Sequence, residues 1–316
     1  MTVFIKRFFL RVLSPLVLIF LPVVAHAEPV KATYLYNLSS FTGTVPLDWA
    51  RICTDPVNKE VYVSYGDTIR IFNQTGMEVY RFGAYDVDAG TITDMAVDPE
   101  GRLLLLSYKM ADYEIVISDY RGRRKGSFLI QNLPPEFAGF APGRMVYQEG
   151  RLYFAQLSEL KIVVTDLSGK FLDGYDVARI LEVKDDQRAE NDIFAISVTK
   201  KGEILLTIPA MGKAFVVTAD KTTREFGKRG SGPGKFGVPA GIATDREGNI
   251  YVSDILRSVV LIFDKDRRFV SEFGGRGMKP GKFIVPRDLV VDSDNRVYVT
   301  QLRKRGVSVF RIDKID

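Results

Sequence analysis

Six- and seven-residue runs rich in Val, Ile, Leu, Tyr and Phe recur along the chain, separated by clusters of Gly, Asp and Asn. Such runs read as strands bounded by turns. The clearest set is EVYVSY (Glu60–Tyr65), RLLLLSY (Arg102–Tyr108), RLYFAQ (Arg151–Gln156), EILLTI (Glu203–Ile208), NIYVSD (Asn249–Asp254) and RVYVTQ (Arg296–Gln301). Each has an apolar strand before it that ends in Asp or another polar residue. After it come a variable loop, a third strand such as VVLIFD, a charged turn and a fourth strand ending near Gly. The unit recurs every 40 to 52 residues or so, about the length of a four-stranded propeller blade. The last unit stops at VSVFRID (Val307–Asp313), whereas ATYLYNLSSF (Ala32–Phe41) is a strand without a unit. The pattern therefore predicts an all-β, six-bladed β-propeller whose N-terminal strand completes the last blade. Such closure removes the free edge of an open array.

The glycine run GSGPGKF, Gly230 to Phe236, looks at first like a phosphate-binding loop. It is one residue too short, and Phe236 stands where the magnesium-binding hydroxyl belongs. The run also recurs: Gly234/Gly281, Lys235/Lys282, Phe236/Phe283, Pro239/Pro286, Asp245/Asp292 and Tyr251/Tyr298 are each 47 residues apart (234 to 281, for example). A connection reused in successive blades explains this, and the nucleotide reading fails. The two units containing KFGVPAGIATDREGNIYVSD and KFIVPRDLVVDSDNRVYVTQ resemble NHL repeats over Gly227 to Phe310. The first four units keep the strand pattern without most of the Gly-Pro connection and resemble the wider six-bladed class. The resemblance implies a propeller with a habit of binding rather than a particular reaction. The glycines then shape the crossing between blades. Asp245 and Asp292 are expected to accept hydrogen bonds from turn amides. The DSDN stretch, Asp292–Asn295, lacks the Gly and distal Glu of a calcium loop.

Residues 1–27 read as a Sec-type signal peptide: Lys6, Arg7 and Arg11, then the apolar run Val12–Val24, then Ala25-His26-Ala27 before Glu28. The expected mature product is one propeller domain over 28–316, exported to the periplasm or the extracellular space. No cysteine stands directly after the cleavage site to carry a lipid. Removing three cations lowers the net charge from +5 to about +2, which gives no support for nucleic-acid binding. The single histidine, His26, lies in the leader. Imidazole metal sites, His-dependent triads and haem attachment are thereby excluded from the domain. Cys53 is the single cysteine, so no intramolecular disulfide exists and the core must hold the fold.

Aligning the first strands places Arg51, Asp94, Arg144, Ala195, Gly241 and Asp288 in one ring at the channel mouth. The signs alternate through Asp288, Arg51, Asp94 and Arg144. They form either a salt-bridge belt between neighbouring blades or a polar socket for an anionic group or a partner's side chain. The ring two residues on holds Cys53, Ala96, Val146, Ser197, Ala243 and Val290, all small, so Cys53 is expected as a core filler. Trp49 is expected to pack where the first inner strand begins.

The loops that share a face with the mouth divide by charge. A basic half gathers Lys228, Arg229, Arg257, Arg303, Lys304 and Arg305, and an acidic half includes Asp86, Asp88, Asp112, Glu114, Glu136 and Glu159. Arg121–Lys125 falls on the opposite face. Two loops exceed what a blade needs: Ile130–Gly143, where Phe137 and Phe140 are candidate anchors, and Asp176–Asp192, with an expected helical turn near Val177, Ile180 and Leu181. The expected function is a non-catalytic, monomeric scaffold for a protein partner in the envelope or at the surface, without metal or cofactor. The alternative is a lactonase-like hydrolase or lyase with its site at the channel mouth, where Asp94 and Asp288 would have to serve.

Overall fold

A computed structural model describes residues 30–313; the expected leader lies outside them. Six four-stranded antiparallel sheets follow one another along the chain. Their first strands are Arg51–Asp55, Thr91–Val97, Arg144–Gln148, Ala195–Val198, Pro239–Thr244 and Pro286–Val291. Each first strand touches the next, and the sixth touches the first. The fold is a six-bladed β-propeller. Second and third strands are buried on both sides, as in Ile250–Asp254 and Val259–Phe263. This is why they read as unbroken apolar runs rather than as alternation. Their side chains meet those of adjacent blades, so the core is a set of clusters between sheets rather than one centre.

The sequence-predicted closure is present. Ala32–Asn37 pairs antiparallel with Val307–Ile312, with Ala32 opposite Ile312 and Tyr34 opposite Phe310. A register shift between Tyr34 and Tyr36 bends the added strand. A polar chain locks the seam: Gln301 Nε2 donates to Ser308 Oγ at 2.7 Å, and Ser308 Oγ donates to Asn37 Oδ1 at 2.7 Å. Leu38, fully buried, follows directly and packs beside Val307 and Val309.

Asp245 and Asp292 do what their position suggested. Asp245 Oδ1 accepts from Glu247 and Asn249 amides at 3.0 and 2.8 Å, and Asp292 Oδ1 from Asp294 and Arg296 amides at 2.8 and 2.9 Å. The other oxygen of each accepts a tyrosine hydroxyl, Tyr251 at 3.1 Å and Tyr298 at 2.9 Å. Both carboxylates are thus engaged within their own turns.

The crossing glycines have a steric cause. Gly227 and Gly274 have φ of +75° and +105°, and the buried rings of Phe236 and Phe283 lie across them. A Cβ would sit 2.0 Å from the Phe236 ring at Gly227 and 2.4 Å from the Phe283 ring at Gly274. Only glycine meets both demands. The crossing is then tied to its own blade by the last residue of the second strand. Asp254 Oδ2 accepts the Gly237 amide at 2.6 Å, and Gln301 Oε1 accepts the Ile284 amide at 2.9 Å.

Candidate functional site

The mouth of the channel is where the repeat breaks its own rule. Blade five has Ala240-Gly241 at the head of its first strand, and blade six has Arg287-Asp288 at the equivalent place, 47 residues on (240 to 287). Gly241 is hemmed in, since a Cβ there would lie 2.3 Å from the Arg287 carbonyl oxygen. That carbonyl accepts Ser253 Oγ at 2.5 Å, tying blade five to blade six. Asp288 is anchored in turn by Thr300, whose hydroxyl accepts its amide at 2.9 Å. Two charged side chains therefore project from a rigid strand end into a narrow opening.

Arg144, from blade three on the far side of the ring, crosses the channel to meet Asp288. Its Nη1 and Nη2 donate to the two Asp288 oxygens at 3.0 and 2.9 Å. Its Nε lies 3.3 Å from Asp94 Oδ2. Asp94 also accepts the Met95 and Met145 amides at 3.0 and 2.9 Å. All three side chains are buried. The alternation expected between neighbouring blades is kept at Asp94–Arg144 and, more loosely, at Asp288–Arg51, and a cross-channel pairing of Arg144 with Asp288 is added to it. The guanidinium fork has enough donors, in the right plane, to hold two carboxylates at once. Burial draws the Arg144 pKa down, but the Asp288 and Asp94 charges outweigh it and leave it raised. Burial holds the Asp94 carboxyl above its ordinary value, and Arg144 and Arg51 offset only part of that.

Arg51 is left over. Its Nη1 is 4.0 Å from Asp288 Oδ2, and its side chain keeps 27% of its exposure. The charge of Arg144 and its own burial lower its pKa. Arg287 is the second surplus cation. Its guanidinium lies 4.0 Å from the Trp49 ring centre and 4.7 Å from that of Phe194, held by cation–π contact with both. Burial, then the Arg51 charge, pull its pKa down to about 10. Among the described residues neither Arg51 nor Arg287 donates a side-chain hydrogen bond. Trp49 is not packed into the fold: it stands 66% exposed at the rim, with φ +56°, because its partner is the Arg287 guanidinium. Arg51, Arg287 and Phe194 line a cavity of about 330 Å³, with Leu157 on one wall and Glu190 and Asp192 at its edge.

Below the clamp the channel continues as a cavity of about 230 Å³ lined by the small ring predicted from the alignment. Cys53 lies in that wall. Burial, aided by the Asp94, Asp55 and Asp288 charges, pushes its thiol well above the ordinary range, which disfavours the reactive thiolate.

The basic half of the face is thinner than the sequence suggested. Arg257 is half-buried and spent on Glu272, with Nη2–Oε1 at 2.5 Å and Nη1–Oε2 at 2.8 Å. Arg305 is also partly buried. Lys228, Arg229, Arg303 and Lys304 are exposed, and none makes an ion pair among the described residues. Across the face, Asp88 pairs with Lys109 at 2.6 Å and Glu114 with Arg124 at 3.1 Å. In the long loop Phe137 is buried against Phe140 and Phe171, and Gly174 leaves the room its ring fills. Phe137 is therefore a structural wedge rather than a partner anchor; Phe140 is partly buried beside it. The second long loop forms the expected helical turn, Val177–Ile180, capped by Asp176, which accepts the Arg179 amide at 3.0 Å.

Sequence reasoning missed the Arg287, Trp49 and Phe194 cluster as a unit. The departure of Arg287-Asp288 from Ala240-Gly241 was the available signal.

Comparison with known proteins agrees on architecture. A family described as a 6-bladed beta-propeller matches over residues 242–315. No curated protein matches the chain. Among solved structures, a structural-genomics protein of unknown function from Bacteroides thetaiotaomicron is similar, with 13% identity, a TM-score of 0.64, and 90% of this chain and 76% of that one covered. A streptogramin B lyase has 13% identity and a TM-score of 0.57, covering 90% of this chain and 97% of that one. A gluconolactonase from Xanthomonas campestris has 14% identity and a TM-score of 0.57, covering 90% of each. At such identities the likeness is one of fold.

Proposed function

We propose that the protein is an exported, non-catalytic binding scaffold that offers the mouth-bearing face of its propeller to a protein partner in the cell envelope or at the surface. In this reading residues 1–27 are the signal peptide, 28–316 the mature domain, and the last two units NHL repeats. The observation that carries it is the cross-channel clamp. Asp94 and Asp288 are the two buried acids of the mouth. Both are engaged by Arg144 and backbone amides, which leaves the mouth rich in unused donors and its buried acids already partnered. The lyase and the gluconolactonase share the fold, but a reaction of either kind here would first have to pull a carboxylate away from Arg144.

Lys228, Arg229, Arg303 and Lys304 supply the long-range attraction for the partner, since uncompensated rim charges mainly speed encounter. The test is capture kinetics of the native-envelope partner on mature wild-type protein and on the Arg303→Glu/Lys304→Glu variant. The variant should associate several-fold more slowly at low salt, with a flatter salt dependence and an unchanged melting temperature. Equal association rates at every salt concentration would place the partner elsewhere.

A further inference from the structure

Three arginines and two aspartates meet at the mouth, and the exposed Glu190 and Asp192 stand at the edge of the cavity beside them. The cations with free donors are localised. Arg144 is consumed by Asp94 and Asp288, whereas Arg51 and Arg287 keep their donors and border the same cavity. Arg287 is held for use rather than for stability of a pair. The Trp49 and Phe194 ring centres lie 4.0 and 4.7 Å from its guanidinium carbon, and among the described residues its N–H groups donate no hydrogen bond. A half-buried guanidinium held between such contacts, beside a second arginine, can receive a planar anion through paired bonds.

We infer that the socket between Arg51 and Arg287 binds the carboxylate of a ligand with a small apolar body and a hydrogen-bond donor beyond it. Two arginines without side-chain hydrogen bonds can receive one carboxylate, and Glu190 and Asp192 at the cavity edge work against a dianion such as phosphate. The apolar body fits against Phe194 and Leu157, and the donor meets the rim carboxylates. A cavity of about 330 Å³ lies at the small end of ligand sites, which limits the body to roughly one aromatic or branched aliphatic side chain. Burial, then the Arg51 charge, lowers the proton affinity of Arg287, and the Arg144 charge, then burial, lowers that of Arg51; a bound anion relieves the like-charge part of both. The ligand is either a free carboxylic acid or the C-terminal carboxylate of a peptide, one chemistry from two sources. The inference rests on the reading of this face as a binding face.

Titration calorimetry on the whole mature protein tests it with four probes: 3-phenylpropanoate and its amide, and Gly-Gly-Phe with a free or an amidated C terminus. Both acids should bind at least tenfold more tightly than their amides. Arg51→Gln and Arg287→Gln should each weaken acid binding at least tenfold while leaving the circular-dichroism melt in place. Binding of the peptide acid alone keeps the socket and assigns it to a partner's tail; binding of both acids assigns it to the carboxylate wherever it occurs. The wild-type comparison of acid with amide stands even if a variant fails to fold. Binding of neither acid at millimolar concentration, or equal binding of acid and amide, overturns the inference. If no acid binds but partner capture still depends on Arg303 and Lys304, the socket falls and the scaffold reading survives. If acid binds and no partner is captured, the scaffold reading falls instead.

Discussion

Replacing Arg144 by methionine removes the cation from the clamp and leaves two buried carboxylates without the side chain they share. Asp288 loses both its side-chain donors, and Asp94 keeps its two backbone amides. Taking one partner from a buried ion pair typically costs about 3–5 kcal/mol, much more than the net worth of the pair itself. For a domain of this size 1 kcal/mol corresponds to about 2 °C in melting temperature, so Arg144→Met should melt about 6–10 °C below wild type at pH 7. The sign with pH follows from desolvation. Burial holds the Asp94 carboxyl above its ordinary value even beside Arg144, and losing that cation raises it further, so the folded variant binds this proton more tightly than the unfolded chain. Its deficit is therefore full at pH 7 and shrinks as pH falls through that raised value. The quantity to read is the gap between variant and wild type at pH 7 and at pH 4.5, because every other carboxylate titrates in both proteins. The triple variant Asp94→Asn/Arg144→Met/Asp288→Asn should recover most of the loss at pH 7, since no buried charge remains. A single variant that melts within about 2 °C of wild type at pH 7, or a gap that does not narrow in acid, would refute the clamp.

Two further outcomes test the frame around the mouth. Deleting residues 28–41 strips the strand that pairs with Val307–Ile312 and uncovers the Val307 and Val309 side of the last blade. The truncated protein should lose its cooperative melt or melt far below the intact one, as followed by circular dichroism. Gly274→Ala puts a methyl group 2.4 Å from the Phe283 ring at φ +105°. It should cost about 1–3 kcal/mol from backbone strain alone, measured by urea denaturation, and pairing it with Phe283→Leu should recover the part due to the clash.

The blades were legible because a doubly covered strand must be apolar throughout, and six such runs at near-constant spacing admit few folds. The closing strand was legible by counting: Ala32–Asn37 had no unit and Val307–Ile312 had no partner. The ring at the mouth was also legible, since equivalent positions of a repeat face the same axis. The pairing within it was not. Arg144 and Asp288 are 144 residues apart, and only the width of the channel brings blade three to blade six. Phe137 misled for a related reason. A Phe in a Pro- and Gly-rich loop resembles a partner anchor, and the vacancy above Gly174 that buries it lies in another strand. Arg257 read as a free cation because its partner, Glu272, sits two strands away in the same blade.

The seam has a consequence for how the molecule can be held. Lys31 O accepts the Asp313 amide at 3.0 Å, and Ile312 donates to Asn295 O at 3.1 Å. Both ends of the described chain therefore leave beside the turn that joins the first two strands of the last blade. That turn lies on the side of the disc away from the mouth. A linker fused to either end, or the attachment of the molecule to a bead or sensor through such a linker, points the Arg51 and Arg287 socket outward. The choice of terminus then changes nothing about what an approaching molecule meets.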